Sequence, residues 1–347
     1  MRKIAIVILN WNGRAMLERY LPSVCSFSQM EGAVVVVADN GSTDDSVAFV
    51  KEHFPSVQLV LLDDNYGFAE GYNRSLAQLD AEYFLLLNSD VEVTENWLSP
   101  LVAYMDQHQD VAACQPKIRS FMEKDKFEHA GACGGFLDKY AFPFCRGRLF
   151  GHVEHDNGQY DTVADVFWAT GAALMIRSDD FLSVGGLDGS FFAHMEEIDL
   201  CWRLQLEGYT VTVVPQSVVY HIGGGSLPND SPKKLQLNYR NNLLLLENNL
   251  AKSFRVQGYS VEGALGKARR RILVRMLLDG FSAINYLTTK KWGSYKAVVR
   301  AHAEYWKLRK KTTPDEVASQ QKMATIHGWY PKWMVPRALA GRKIKFI

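Results

Sequence analysis

Unbroken apolar runs alternate with amphipathic stretches over the first hundred residues of the chain. Lys3–Leu9, Ala33–Ala38, Gln58–Leu62 and Tyr83–Leu87 are rich in β-branched residues or leucine. A run without polar alternation marks a strand covered on both faces, and hence a parallel sheet. Between these runs, Ala15–Ser26, Asp44–His53 and Ala69–Leu79 repeat their apolar residues at helical spacing. Thr43 stands where the second helix needs a cap, with Asp44 and Asp45 in its first turn. This strand–helix rhythm predicts an α/β fold with a Rossmann-like half.

From about Val111 the rhythm breaks, and Gly131, Gly134, Gly135, Pro143, Gly147 and Gly151 punctuate a variable region. Phe167–Arg177 then reads as a strand, Asp179–Val184 as a short helix, and Ile198–Glu207 as a helix ended by Gly208. Thr210–Val214 and Val218–His221 read as two short strands. After Pro228-Asn-Asp-Ser-Pro232 the pattern is helical over Leu235–Leu250, Gly263–Asn285 and Lys296–Lys310. The break predicts an α/β body over residues 1–228 and a helical region over 229–347.

At 347 residues, with 47% hydrophobic and 22% charged positions, the chain is long and apolar enough for one sizeable core plus an appendage. Five scattered cysteines without a CxxC pair point to a reducing compartment and away from a disulfide framework. The N-terminal apolar run is too short for a signal sequence, and no stretch approaches the roughly 18 apolar residues of a membrane span. The net charge of +1 hides an asymmetry. Residues after 250 carry 21 Lys and Arg against 5 Asp and Glu, and the first 250 carry 18 against 33. A basic tail suits anionic lipid headgroups, a diphosphate-linked acceptor or nucleic acid.

Polar motifs sit at the strand ends. In Ile8-Leu-Asn-Trp-Asn12 the amides of Asn10 and Asn12 can read a base or ribose edge, or simply close a turn. Asp39-Asn-Gly-Ser-Thr-Asp44 offers an acid to a uracil or thymine ring N–H or a ribose hydroxyl, and equally suits a turn with a helix cap. Around Asn65, Gly67 and Gly71 permit close backbone approach, and Asn73 and Arg74 can reach nucleotide or diphosphate oxygens. The competing reading is a glycine-containing helix start. Asn88-Ser89-Asp90 places oxygen ligands at i and i+2, a spacing that can face one hard cation.

Glu196-Glu197-Ile-Asp199 gathers three acids in four residues. Their repulsion raises a pKa, which suits a base that deprotonates an acceptor hydroxyl, although acids also complement a helix N-terminus. Asp199 orients the helix or pairs with Arg203. His221 precedes Ile222-Gly-Gly-Gly-Ser226, where it can complete a metal site or touch a diphosphate, with Gly223–Ser226 as a mobile lid. Trp168, Thr170 and Gly171 suit a sugar face or ordinary core packing. Asp188 can bind a sugar hydroxyl or cap a turn.

In order and spacing these motifs resemble the family 2 glycosyltransferases, inverting enzymes of the GT-A fold, and most closely their bacterial rhamnosyltransferase-like branch. The resemblance covers roughly residues 3 to 245. It implies a nucleotide-diphospho-sugar transferase fold of mixed sheet flanked by helices, followed by a helical C-terminal region. It places Asp39 on the nucleobase and Asn88-Ser89-Asp90 at the family's Asp-x-Asp position, with Asn88 replacing the first Asp. Asp90 and His221 then become ligands of Mg²⁺ or Mn²⁺. Glu197 is the implied base, where Asp is more usual, and Glu196 is the second candidate and an acceptor contact beside Asp188. Asn10, Asn12, Asn65, Gly67, Asn73, Arg74, Trp168 and Gly171 line the donor, and Arg240 lies near its diphosphate.

The implied donor is a UDP- or dTDP-hexose. The implied acceptor is a saccharide or lipid-linked saccharide of cell-surface polysaccharide synthesis. The expected location is cytoplasmic, peripheral on the inner face of the cell membrane, with the basic tail on an anionic membrane surface and no nucleic-acid partner. A sugar nucleotidyltransferase would need a Gly-rich, Lys- or Arg-bearing loop after the first strand, which Ile8–Gly13 lacks. A non-catalytic nucleotide-sugar or membrane-binding module would leave Asp90, Glu197 and His221 as coincidences.

Overall fold

The computed structural model describes residues 2–223, 231–320 and 325–339. The four apolar runs form β1 (Arg2–Asn10), β2 (Ala33–Asn40), β3 (Gln58–Leu62) and β4 (Ala81–Leu87). They are parallel, in the order β3-β2-β1-β4, and α1 (Arg14–Phe27), α2 (Ser46–His53) and α3 (Gly67–Leu76) connect them. Both faces of the sheet are packed, so the strands are apolar throughout. The second helix is not capped by Thr43. Its N-cap is Asp45, and the Thr43 N–H donates instead to Asn12 Oδ1 at 2.7 Å.

The chain continues through β5 (Val91–Val93), α4 (Leu98–Gln107) and β6 (Val111–Ser120). The glycine-punctuated region is not merely a variable loop. It forms β7 (Gly135–Asp138), β8 (Pro143–Cys145), β9 (Arg148–Leu149) and β10 (His152–Val153). These strands are too short for a periodic signal. Next come β11 (Ala164–Asp165), β12 (Ala173–Arg177), α5 (Ser178–Ser183), a 3₁₀ turn over Gly189–Phe191, α6 (Glu196–Leu206) and β13 (Thr210–His221). The strand expected over Phe167–Arg177 is therefore confined to its second half. The two strands expected over 210–221 are one, with a bulge between Val214 and Val218.

In the main sheet β12 runs antiparallel to β4 and β6, β13 lies beyond β6, and β5 pairs with β13. Register decides what meets at its rim. Asn10 is opposite Asp39 on β2, and His221 is opposite Val91, the neighbour of Asp90.

The C-terminal helices are α7 (Pro232–Val256), α8 (Val261–Thr288), α9 (Trp292–Leu308), α10 (Pro314–Ala318) and, after β14 (Trp329–Tyr330), α11 (Val335–Leu339). Ser231 caps α7 by accepting from the Lys234 N–H. One side of α7 packs on α6, and α8 and α9 pack against α7 and each other. β14 joins the second sheet beside β7, and Trp329 lies against Phe167 and Trp202. The boundary expected at 228–229 lies outside the described residues, as does most of the glycine lid. No described helix is long and apolar enough to cross a membrane, and the five cysteines are free.

Candidate active site

The first two motifs hold each other. Asn10 Nδ2 donates to Asp39 Oδ1 at 2.9 Å and to Ser42 Oγ at 3.2 Å, and the Ser42 N–H donates to Asp39 Oδ2 at 2.9 Å. Asn12, at φ 50°, accepts from the Thr43 and Asp44 N–H groups. Both asparagines thus orient the Asp39 loop, and Asp39 itself is buried. Asn40, which the sequence reading passed over, holds the third motif. Its amide donates to Asn65 Oδ1 and the Gly67 carbonyl, and its oxygen accepts from the Tyr66 N–H. Gly67 adopts φ +75°, and a Cβ there would lie 2.5 Å from the Phe192 ring, so only glycine fits.

At the end of β4, Asn88 and Ser89 are half-buried and Asp90 is buried. Asp90 Oδ1 is 3.1 Å from His221 Nε2, and Glu128 Oε2 is 3.5 Å from His221 Nδ1. Burial pulls the His221 pKa down, but the two carboxylates outweigh it and push it up to about 10. Glu128, although buried, is held below the usual carboxylate range by His221. Glu128 gave no sequence signal, because it lies in the irregular region. Gly223, at φ +73°, lets the backbone pass Glu128, since a Cβ would approach its Oε1 to 2.6 Å.

Asp90 and Glu128 sit at opposite nitrogens of the ring, so the three do not converge on one point. Among the described residues no group of three or more His, Cys, Asp and Glu side chains forms a metal cage. Asp90 Oδ1 and His221 Nε2 do lie together, and once a divalent cation displaces the imidazole proton they fit part of its coordination sphere, the rest falling to ligand oxygens.

The acid cluster opens α6. Glu196 is 3% exposed and Glu197 is half-buried, and each has a buried Oε2 without a hydrogen-bond partner. Burial and then the charge of Glu197 raise the Glu196 pKa well above the usual range. Burial also pushes Glu197 up to about 7, against backbone N–H donors that favour the carboxylate. Gly171 adjoins it: a Cβ there would be 3.8 Å from Glu197 Cβ. Asp199 is fully buried and joins Arg203 Nε at 2.7 Å and Asn249 Nδ2 at 2.7 Å.

The segment leading into α6 is strained, with Phe192, His194 and Met195 at φ 62°, 70° and 74°. It persists because α7 holds it. Asn241 Nδ2 donates to the carbonyls of Phe191, Ala193 and His194 at 3.0, 2.8 and 2.6 Å. On the other side the Phe192 carbonyl accepts the Phe68 and Ala69 N–H groups of α3.

Six residues expected near the ligand have partners within the fold. Asn73 forms a two-way pair with the Leu187 backbone at 2.7 and 3.0 Å, so it ties the 185–188 loop to α3. Arg74 pairs with Glu70 and stacks on Tyr66 at the surface of its helix. Trp168 is 3% exposed, its N–H donates to the Phe136 carbonyl, and its ring covers Gly135; it is core. Thr170 likewise donates to the Ala130 carbonyl. Arg240 is buried among the Ser190 and Phe191 carbonyls, Asn241 and Glu304, so it supports the strained loop and does not face a diphosphate. Asp188 caps the 3₁₀ turn, accepting from the Ser190 N–H, and its other oxygen takes Asn248 Nδ2.

The rim therefore offers a buried acid at the end of β2, a carboxylate–imidazole pair and an acid of raised pKa. A family model described as Glycosyl transferase family 2 matches residues 5–163. The chain is similar to the N-acetylglucosaminyl-diphospho-decaprenol L-rhamnosyltransferase of Mycobacterium tuberculosis, with 25% identity over 257 residues, 70% of this chain and 83% of the relative. It is also similar to the rhamnosyltransferase WbbL of Escherichia coli, with 27% identity over 45% of this chain and 61% of the relative. The chain is a glycosyltransferase, similar over residues 5–163 to family 2, and both of these relatives are rhamnosyltransferases by name. Its fold is GT-A: the mannosyltransferase PcManGT of Pyrobaculum calidifontis superposes with a TM-score of 0.52, covering 88% of each chain at 13% identity.

The helical pattern over Leu235–Leu250 predicted α7 but not the role of its asparagines. Asn241, Asn242, Asn248 and Asn249 recur on a leucine-rich helix at i, i+1, i+7 and i+8, and all but Asn248 are fully buried. Amides at that spacing on an apolar helix mark a stripe that satisfies buried backbone, and that signal was legible.

Proposed function

We propose that this glycosyltransferase moves a hexose from a UDP- or dTDP-sugar to a saccharide or lipid-linked saccharide acceptor by one inverting displacement. The observation that carries the reading is Glu197: a partly exposed residue whose carboxyl is raised to about 7, beside a buried neighbour, Glu196, raised well above the usual carboxylate range. A carboxylate of that pKa is matched to taking a proton near neutral pH. Glu197 accepts the acceptor hydroxyl proton, the oxygen bonds to the anomeric carbon, and the bond to the donor diphosphate breaks with its electrons leaving on the diphosphate. Asp39, held by Asn10 and Ser42, accepts from the pyrimidine N–H or the ribose. Gly171 gives the sugar room beside Glu197.

Asp90 and His221 would hold a divalent cation, Mg²⁺ or Mn²⁺. When bound it neutralises charge on the departing diphosphate. The Pyrobaculum structure is a complex with GDP-Man and Mn²⁺, which supports such a cation. The Mycobacterium relative is named for a lipid diphosphate acceptor, which supports the acceptor class and a place at the cytoplasmic membrane face. We assign the chemistry to residues 1–228 and support of the base loop to the helices after 229.

The test is release of nucleoside diphosphate from a panel of UDP-, dTDP- and GDP-sugars, with and without a lipid-linked saccharide diphosphate. Acceptor-dependent release of UDP or dTDP is expected. Donor binding without turnover would favour a non-catalytic module, and pyrophosphate exchange would favour a nucleotidyltransferase.

A further inference from the structure

α8 and α9 form an outer layer whose outward faces are left uncovered by the described residues. α8 buries Ala264, Ala268, Ile272, Arg275, Asp279 and Ala283. Beside that stripe, Leu273, Leu277, Phe281 and Ile284 are 59%, 60%, 67% and 57% exposed. Their spacing of i, i+4, i+8 and i+11 aligns them along one face of the helix. α9 repeats the arrangement, with Trp292, Val299 and Trp306 at least half exposed at i, i+7 and i+14.

Charge says what covers these faces. Residues 261–308 carry 10 Lys and Arg against 3 Asp and Glu. Arg269 and Arg270 flank one end of the α8 row, and Lys290 and Lys291 the other. Lys296, Arg300 and Lys307 interleave the α9 row, and all seven are exposed. The acids do not offset them. Asp279 is buried against Arg275, Glu304 bonds to Gln236 and Arg240, and Glu262 stands at the far end of α8. A second copy docked by a two-fold axis would set this cationic face against itself.

We propose that the α8–α9 face is a docking surface for an anionic lipid membrane. The leucines and Phe281 enter the headgroup–acyl boundary, the tryptophans sit at headgroup depth, and the cations meet lipid phosphates. Neither helix is apolar enough to span, so the layer lies on the surface. The inference deepens the lipid-linked acceptor reading and rests on it for its purpose. One helix, α7, separates this face from the strained loop before Glu197, since Arg240 binds both that loop and Glu304 of α9.

The experiment is co-sedimentation of the full chain with vesicles of phosphatidylcholine alone or mixed with phosphatidylglycerol. Binding should require phosphatidylglycerol and weaken with salt. L277E/F281E and K296E/R300E should each lower the bound fraction at least about tenfold. Both should keep the wild-type circular dichroism and transfer to a water-soluble saccharide acceptor. Equal recovery in the supernatant with both vesicle types overturns the proposal. So does a dimer in analytical ultracentrifugation that L277E/F281E dissociates. Transfer to the soluble acceptor without vesicle binding removes the docking surface and leaves the transferase reading. Vesicle binding with no transfer to any acceptor does the reverse.

Discussion

Glu196 and Glu197 are adjacent acids in one helical turn, yet Glu196 is buried and only Glu197 is partly exposed. Burial raises the Glu196 pKa and so favours its neutral form, which Glu196→Gln mimics, and transfer should stay above about a tenth of wild type. Glu197→Gln should cut turnover by about 10²–10⁴-fold while donor affinity changes only a few-fold. Rapid-quench turnover with parallel donor titration checks both, and equal losses in the two variants would reassign the base. The raised pKa fixes the sign of the pH dependence. The base works ionised, so kcat/KM should fall about tenfold per unit as pH drops below about 7, with a plateau above it. An acidic limb near 4 would contradict the burial seen here. Residue types were legible at this scale: Asp39, Asp90, Glu197 and His221 all lie at the rim. Their partners were not. Asn73, Trp168 and Arg240 look like ligand groups in sequence, but each satisfies backbone that only the folded chain brings near.

The parallel half was legible because each strand is an unbroken apolar run covered by a helix with its own period. The second sheet was not, since strands of two to four residues carry no period and their pairing is non-local. The same non-locality hid the role of α7, which reaches back to a loop about fifty residues earlier. Asn241→Ala leaves buried carbonyls of Phe191, Ala193 and His194 unpaired and frees a strained segment. A loss of about 2–3 kcal/mol in unfolding free energy and a fall of about tenfold or more in turnover are expected. Chemical denaturation and steady-state kinetics measure the two, and an unchanged turnover would separate α7 from the site. Asp90 and His221 meet because β5 pairs with β13. Asp90→Ala should weaken cation-dependent nucleotide binding by calorimetry, and excess EDTA should mimic it; full activity in EDTA would remove the cation from the account.

Over the whole molecule, the acidic first 250 residues carry the rim and most of α7 that braces it, and the basic remainder packs on α7. The charge asymmetry was plain in composition, but composition did not say which cations are spent inside. Arg240 and Arg275 are buried and paired, whereas Arg269 and Arg270 of α8 and Lys296, Arg300 and Lys307 of α9 are exposed. The assembled site presents one partly exposed base, Glu197, beside Glu196, whose pKa burial raises. That arrangement suits one displacement. The direct measurement is the anomeric configuration of the first-formed product by proton NMR, with a donor of known configuration. The account predicts a glycosidic bond of inverted configuration, formed by wild type and abolished by Glu197→Gln. A product that retains the donor's configuration would contradict it.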